Sequence, residues 1–587
     1  MKKFLYSFLG SMAAIWLSVL LGGLLLIFTF AAIFSSSAKQ LTIEDHSILH
    51  IDLSGEIVDR DGPLSLLSLL QSGNLYQLSL SDILYAIDQA TGDERIEGIY
   101  LECNGATVGM AQAQAIGEAL EKFRKSGKFV WAYSDNFTQG NYLIATSADS
   151  IYLNPIGMVD IHGLQAQTTF YKGLLDKLGV EMQVVKVGTY KSAVEPFMLT
   201  GMSEANRQQQ EHFLGRIWGC YTSTVAKARK TTVDSVNCWA DSFAFTQPAD
   251  WYTANNIVDK LLYRHQIEDR LAKKTAQEKD AKLVDVTTYA EERRALSQGG
   301  DKKKTIAILY AGGEITENGD EGIASDRMVP EIMDLIDNED IDALILRVNS
   351  GGGSAFASEQ IWEALEQFKK QTGKPFYVSM GDMAASGGYY ISCGADRIFA
   401  QPTTLTGSIG IFGMIPNFQP LMQDKLGINT QTVSTNSGGA PTPFEPMTPG
   451  QRQAMQKYVD RGYELFTSRC AKGRHMSIDS IKAIAEGRVW DGQSALEIGL
   501  VDQLGSLQTT VNEMAKKLGV DAKDVAVQEY PELTTQWWRT LVEMSDDEVK
   551  TALRDRYFSV EQMGLRALRR LQGQNAIQAR TNVVEIR

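Results

Sequence analysis

The sequence predicts an α/β protein built from two tandem repeats behind one membrane-spanning helix. Three observations predict this class. An uncharged N-terminal stretch is long enough to cross a bilayer. Runs of branched and aromatic residues then alternate with stretches of helical spacing. Finally, segments of the first half return in the second at a nearly constant offset of about 245 residues.

The N-terminal element follows from charge. After Lys2 and Lys3 nothing from Phe4 to Ala38 is charged, and Ala13 to Phe34 is nearly all apolar. That exceeds the roughly 20 residues a spanning helix needs and is longer than a signal-peptide core. The two lysines should stay cytoplasmic, which places an uncleaved anchor in the cytoplasmic membrane through residues 4–34 and the body on the periplasmic side. A cleaved signal ending near Ser35–Ala38 is the rival reading.

The whole chain is long, 587 residues with 44% hydrophobic content, enough for several buried cores. A net charge of −14 with no basic stripe to offset it excludes a nucleic-acid partner. Cys103, Cys220, Cys238, Cys393 and Cys470 lie far apart without metal-ligand spacing, so neither a metal site nor a disulfide framework is expected. Ile48–Leu53 and Ile96–Leu101 read as buried strands, and Ala111–Lys125 has helical spacing. The charged, glycine-containing stretch Leu296–Lys304 reads as a boundary before a fresh strand at Thr305–Tyr310. The expected division is an anchor over 1–40, a first repeat over 41–300, a second over 301–530 and a helical tail over 531–587. In the tail, Trp537-Trp538 and the arginine-rich Leu553–Leu571 predict amphipathic helices packed on the body or on another subunit.

Comparing the repeats locates the chemistry. Glu118–Phe123 matches Glu363–Phe368, Asn141–Asp149 matches Gly388–Asp396, Lys177–Val180 matches Lys425–Ile428, and Ile257–Asp259 matches Leu500–Asp502. In this register Ser386 falls opposite Gln139, and the glycine loop Asn349–Gly353 falls opposite Asn104–Val108. Conversely, Lys191 falls opposite Gly438 or Gly439. Each half therefore holds a chemical group that the other lacks.

Ser386 sits in Met383-Ala-Ala-Ser-Gly-Gly-Tyr-Tyr390, after the apolar run Pro375–Val378, as a strand, a tight turn of small residues and a helix start. This is a relaxed form of the elbow that exposes a nucleophilic serine, although a helix-capping serine would give the same pattern. Such a serine needs a base. Of the six histidines only His475 belongs to the second half, in a setting that reads as a surface helix end. Lys191, among Val184, Val185, Val187, Tyr190, Val194 and Phe197, suits a lysine kept neutral by burial. Leu346–Ser354 is a strand ending in a glycine turn, whose N–H groups can stabilise negative charge on a carbonyl oxygen. Ser354 is a rival nucleophile whose place at a helix start fits capping better.

Lys191 in Tyr-Lys-Ser-Ala-Val-Glu-Pro-Phe, Ser386 in Met-Ala-Ala-Ser-Gly-Gly-Tyr-Tyr, and Thr404-Leu-Thr-Gly-Ser-Ile-Gly410 resemble the signal peptide peptidase A family in its long, duplicated bacterial form. The resemblance runs from the anchor to about Leu504. It implies a ClpP/crotonase-like fold, a Ser-Lys dyad formed between the halves and no cofactor. It also implies hydrolysis of signal-peptide remnants and other unfolded apolar peptides, and assembly as a homotetramer. It further implies that Ser408 positions the lysine and that Gly352, Gly353 and Gly387 supply the oxyanion donors. One departure is Gly351, where the family carries proline. Two other readings stand beside this one. An acyl-CoA hydratase or isomerase on the crotonase scaffold would need paired carboxylates near the glycine loops. A non-catalytic membrane scaffold would have no reason to keep intact lysine and serine motifs.

Overall fold

Apolar runs without alternation are what a parallel sheet covered on both faces requires, and each repeat is built on one. In the first, Ser47–Leu53 lies parallel to Ile96–Cys103, with Leu49 beside Ile99 and Ile51 beside Leu101. The whole sheet runs Lys260–Leu261, Ser150–Val159, Phe129–Phe137, Ile96–Cys103, Ser47–Leu53, Leu283–Asp285, all parallel. In the second repeat the order is Gln503–Leu504, Arg397–Ala400, Phe376–Ala385, Ala343–Ser350, Lys304–Gly312, Val525–Tyr530, again all parallel. Strand for strand the two orders are the same, so the duplication read in the sequence is a duplication of topology.

The computed structural model describes residues 43–60, 77–297, 302–319, 321–436, 438–532 and 577–580, together with Gly22. Apart from Gly22, the expected anchor lies outside these residues; among the described residues no helix is long and apolar enough to cross a membrane. Most of the tail also lies outside. Of its described residues, Ile577–Arg580 form a strand, which corrects the expectation of helix at that point.

Alternation within the second sheet sends side chains into two cores. Ile306, Ile308, Ala343 and Ile345 pack with Tyr377, Phe399, Val511 and Met514 on one face. Ala307, Leu309, Leu344 and Leu346 pack on the other with Trp362, Phe368, Tyr389, Tyr390 and Phe466. The second core surrounds the helix that follows Ser386, so the nucleophile segment rests on buried apolar surface.

The repeats differ at the strand end that leads to Ser386. The first uses one long strand, Ser150–Val159, along the edge of Phe129–Phe137. In the second that partner is broken, and Leu405–Gly407 pairs separately with Met383–Ala385 while carrying Val489–Asp491 antiparallel on its far side. A third sheet then joins the repeats. It runs Ile323–Ala324, Ile315–Thr316, Gly352–Ser354, Ile577–Arg580, Phe412–Asn417, Glu181–Lys186. Its last pair is antiparallel, with Val185 beside Gly413 and Gln183 beside Ile415, and it ties the strand before Lys191 to the second repeat.

A half-buried acid also crosses the seam. Asp382, on the strand leading to Ser386, accepts a hydrogen bond of 2.8 Å from the Ala111 N–H at the start of the helix Met110–Arg124. Burial, reinforced by the nearby Asp59 carboxylate, pushes Asp382 up to about 6. An acid whose pKa is raised on folding opposes folding once it must ionise, so stability is lost as pH rises between the unfolded and folded values. Asp382→Asn keeps an acceptor for Ala111 and cannot ionise. Wild-type protein should therefore lose stability relative to this variant between about pH 4 and pH 6. Paired urea titrations across that range would measure the loss, and a pH-independent difference would contradict it.

Candidate active site

Ser386 closes the strand Phe376–Ala385 and stands just before the helix Gly387–Ser392, at φ 57°, ψ −114°. A non-glycine residue there is strained, and the surroundings must hold it. They do so through the backbone: the Ser386 N–H donates to Gly407 O at 2.8 Å, and the Tyr390 N–H donates to Ser386 O at 2.8 Å. The side chain makes no capping bond to its helix, which removes the capping reading. Ser354 does cap, accepting from the Ala357 N–H at 3.2 Å, so it is not a competing nucleophile.

The first repeat shows the same framework without the chemistry. Tyr142 donates its hydroxyl to Ile257 O at 2.8 Å, as Tyr389 does to Leu500 O at 2.9 Å. Opposite Ser386, the Gln139 side chain accepts from the His162 and Gly163 N–H groups and donates to Gly163 O. A polar plug occupies the corresponding position.

Lys191 arrives from the other half. It follows the strand Glu181–Lys186 and precedes the turn Ser192–Val194, and it is only 1% exposed. Its Nζ lies 2.7 Å from Ser386 Oγ, 3.0 Å from Ser408 O and 3.1 Å from Ser408 Oγ. Ser408, itself at φ 49°, is fixed by its N–H to Arg488 O at 2.7 Å, and its hydroxyl donates to Gly487 O at 3.3 Å. The Ser408 hydroxyl can therefore accept from the amine while donating elsewhere, which orients the amine toward Ser386. His475 is exposed in the turn after the helix Pro449–Gly473, whereas Ser386 is fully buried.

The lysine backbone hangs on the second repeat. The Tyr190 N–H donates to Glu486 O at 2.9 Å, and Thr189 donates to the Glu486 carboxylate through both N–H and hydroxyl. Gly487, at φ 75°, packs so closely that a Cβ there would lie 2.7 Å from Lys191 Cβ. Sequence reasoning missed Gly487 and Glu486, because a lone glycine between Glu486 and Arg488 carries no spacing signal. Of the three expected oxyanion donors, Gly352 already donates its N–H to Ser350 Oγ at 3.1 Å. Gly353 lies in the strand Gly352–Ser354, and a Cβ on it would meet Ile315 O at 2.0 Å. Gly387 is the first helical residue, whose N–H has no acceptor within the helix. Gly353 is paired on both edges of that strand, with Ile315 and with Ala579, so Gly387 is the remaining candidate. Among the described residues no cluster of three His, Cys, Asp or Glu side chains could hold a metal ion.

A buried serine at a strained elbow, with an amine in hydrogen-bonding reach and the first N–H groups of a helix beside it, fits a serine-type protease. Comparison with known proteins makes this specific. Residues 122–281 and 368–521 match Peptidase family S49, one segment in each repeat. The chain is 35% identical to Protease 4 of Haemophilus influenzae over 538 residues, covering 89% of this chain and 86% of that one. It is 36% identical to Protease 4 of Salmonella typhi, covering 80% and 78%, and 28% identical to the chloroplastic serine protease SPPA of Arabidopsis thaliana, covering 81% and 69%. Among solved structures, a mutant ClpP1 from Listeria monocytogenes aligns over 34% of this chain and 92% of its own, at 15% identity and a TM-score of 0.24. The chain belongs to peptidase family S49.

The close packing of Gly487 on Lys191 generates a test. Gly487→Ala adds a methyl where there is no room and a side chain at positive φ, so it should displace the lysine. We expect turnover of an unfolded peptide to fall by about tenfold or more, with a stability loss of about 1–3 kcal/mol by urea titration. Unchanged turnover would show that the contact does not position Lys191.

Proposed function

We propose that this protein is a membrane-anchored endopeptidase in which Ser386 is the nucleophile and Lys191 the general base. The observation that carries the reading is the 2.7 Å contact between two buried groups from different repeats. As a substrate carbonyl enters, Lys191 Nζ takes the Ser386 proton while Oγ bonds to the carbonyl carbon. The resulting oxyanion is met by the N–H of Gly387 at the helix start. The ammonium then returns its proton to the departing amine, leaving an acyl-serine. Water, deprotonated by the same amine, releases the acyl group and restores Ser386. Ser408 keeps the amine aimed through both its carbonyl and its hydroxyl.

The proposed substrates are signal-peptide remnants and other unfolded apolar peptides, reached from an anchor through residues 4–34 with the body on the periplasmic side. The uncharged N-terminal run behind Lys2 and Lys3 supports that placement, and the curated relatives named Protease 4 support the class of reaction. Assembly as a homotetramer is part of the same proposal. Exposed apolar residues on the helix Lys172–Leu178 and the nearby 426–444 stretch, among them Leu174, Leu178, Leu426 and the 98% exposed Val433, offer surface for it. Sedimentation of the full chain in mild detergent checks the assembly, and a fully active monomer would contradict it.

Substitution at the two groups tests the chemistry. Ser386→Ala and Lys191→Ala should each lower peptide turnover by about 10³-fold or more, and the double variant should lose little beyond either. Lys191→Arg should fail equally, because a guanidinium stays protonated and cannot accept the serine proton. Activity should rise with pH, since the reaction needs the neutral amine. Turnover that survives Lys191→Ala but is lost in His475→Ala would replace the lysine with a histidine base.

A further inference from the structure

Gln209 is a buried amide that reaches both neighbours of Lys191. It lies on the helix Glu204–Ala228 and is 2% exposed. Its side-chain nitrogen is 3.1 Å from Tyr190 O and 3.1 Å from Ser192 Oγ, the residues that flank the lysine. The same nitrogen is 3.1 Å from Asn206 Oδ1. Its oxygen accepts from the Val489 N–H at 3.2 Å. Val489 opens the strand Val489–Asp491, just after Gly487 and Arg488, whose carbonyl oxygens accept from the hydroxyl and N–H of Ser408. One side chain of the first repeat therefore grips the lysine segment on two sides and the segment that anchors Ser408 on a third.

A buried amide is costly unless its donors and acceptor are all engaged, so these partners fix Gln209 in place as firmly as it fixes them. Tyr190 is otherwise held by its N–H to Glu486 O and by the Arg488 guanidinium over its ring, which leaves its carbonyl, one peptide from Lys191, to Gln209. The Lys191 backbone itself belongs to no helix or strand, at φ −73°, ψ 80°. Regular secondary structure therefore does not set where the lysine stem begins.

We propose that Gln209 is a positioning residue for the reaction. It touches no reacting atom, and it sets the distance between the amine and the serine hydroxyl by clamping Tyr190 and Ser192 to Val489. The proposal rests on Lys191 acting as base for Ser386.

Gln209→Met, close in shape and without hydrogen bonds, tests it in the full chain. The control is Thr222→Val, close in shape, which removes a buried hydroxyl of the same helix that bonds only the Trp218 and Gly219 carbonyls. With a fluorogenic apolar peptide, kcat of Gln209→Met should fall by about 10–100-fold while KM stays within about twofold. Labelling of Ser386 by a fluorophosphonate should slow by a similar factor, and the pH dependence of kcat should move, because both report the base. The control should stay within about threefold on every measure. If Gln209→Met does not fold, Gln209→Glu serves: it keeps an acceptor for Val489 but sets a carboxylate against Tyr190 O, and should show the same split. Normal kcat and labelling, or an equal fall in the control, would overturn the positioning role. Ser386→Ala in the same assay separates the two levels. Turnover retained there overturns the serine reading and the clamp with it, whereas turnover lost there but normal in Gln209→Met overturns the clamp alone.

Discussion

The contact between Lys191 Nζ and Ser386 Oγ is made across the seam between two repeats, and Ser386, Ser408 and Glu486, all at positive φ, stand around it. An amine buried at 1% exposure has no water to solvate it, so its partners must come from the protein. Ser408 supplies two of them and is held at positive φ to do so. Gly487 gives up a side chain so that the lysine stem can pass, and Glu486 accepts from the residues just before it. On the other side Ser386 accepts backbone strain that the Gly407 carbonyl and the helix behind it sustain.

The same strand order occurs twice, yet the repeats have diverged at the positions where chemistry would sit. Gln139 turns its side chain onto the 162–163 backbone, and the long strand Ser150–Val159 closes the edge that the second repeat leaves broken. The break admits Leu405–Gly407 and Val489–Asp491 beside the end of the nucleophile strand, which brings Gly407 to Ser386 and Ser408 and Gly487 to the lysine. Duplication supplied two sheets, and the loss of a different group from each made them depend on one another.

Much of this was legible in the residues because it is local or because it repeats. Parallel strands showed as apolar runs, and Ser386 and Lys191 showed as exceptions to an internal match. The third sheet was not legible. Its strands come from residues 181 to 580, and pairing between segments so far apart leaves no periodicity in either. For the same reason Ile577–Arg580 was read with its arginine-rich, helix-like surroundings, although the strand edges of Gly352–Ser354 and Phe412–Asn417 pair with it. Gly352 was grouped with the oxyanion donors because a glycine turn shows where N–H groups cluster and not which are already engaged; Ser350 Oγ takes this one.

The sequence separation of the two groups has a consequence for biosynthesis. Lys191 leaves the ribosome 195 residues ahead of Ser386, and the segments that hold it, at Ser408 and Gly487, come later still. A growing chain therefore presents an amine with nothing to activate, and then a serine whose supporting loop has not been made. With Lys191 as the base for Ser386, as proposed, hydrolytic competence appears only when the second half closes on the first. Translation order would then keep the nascent polypeptide inert beside the other unfolded chains that leave the ribosome with it.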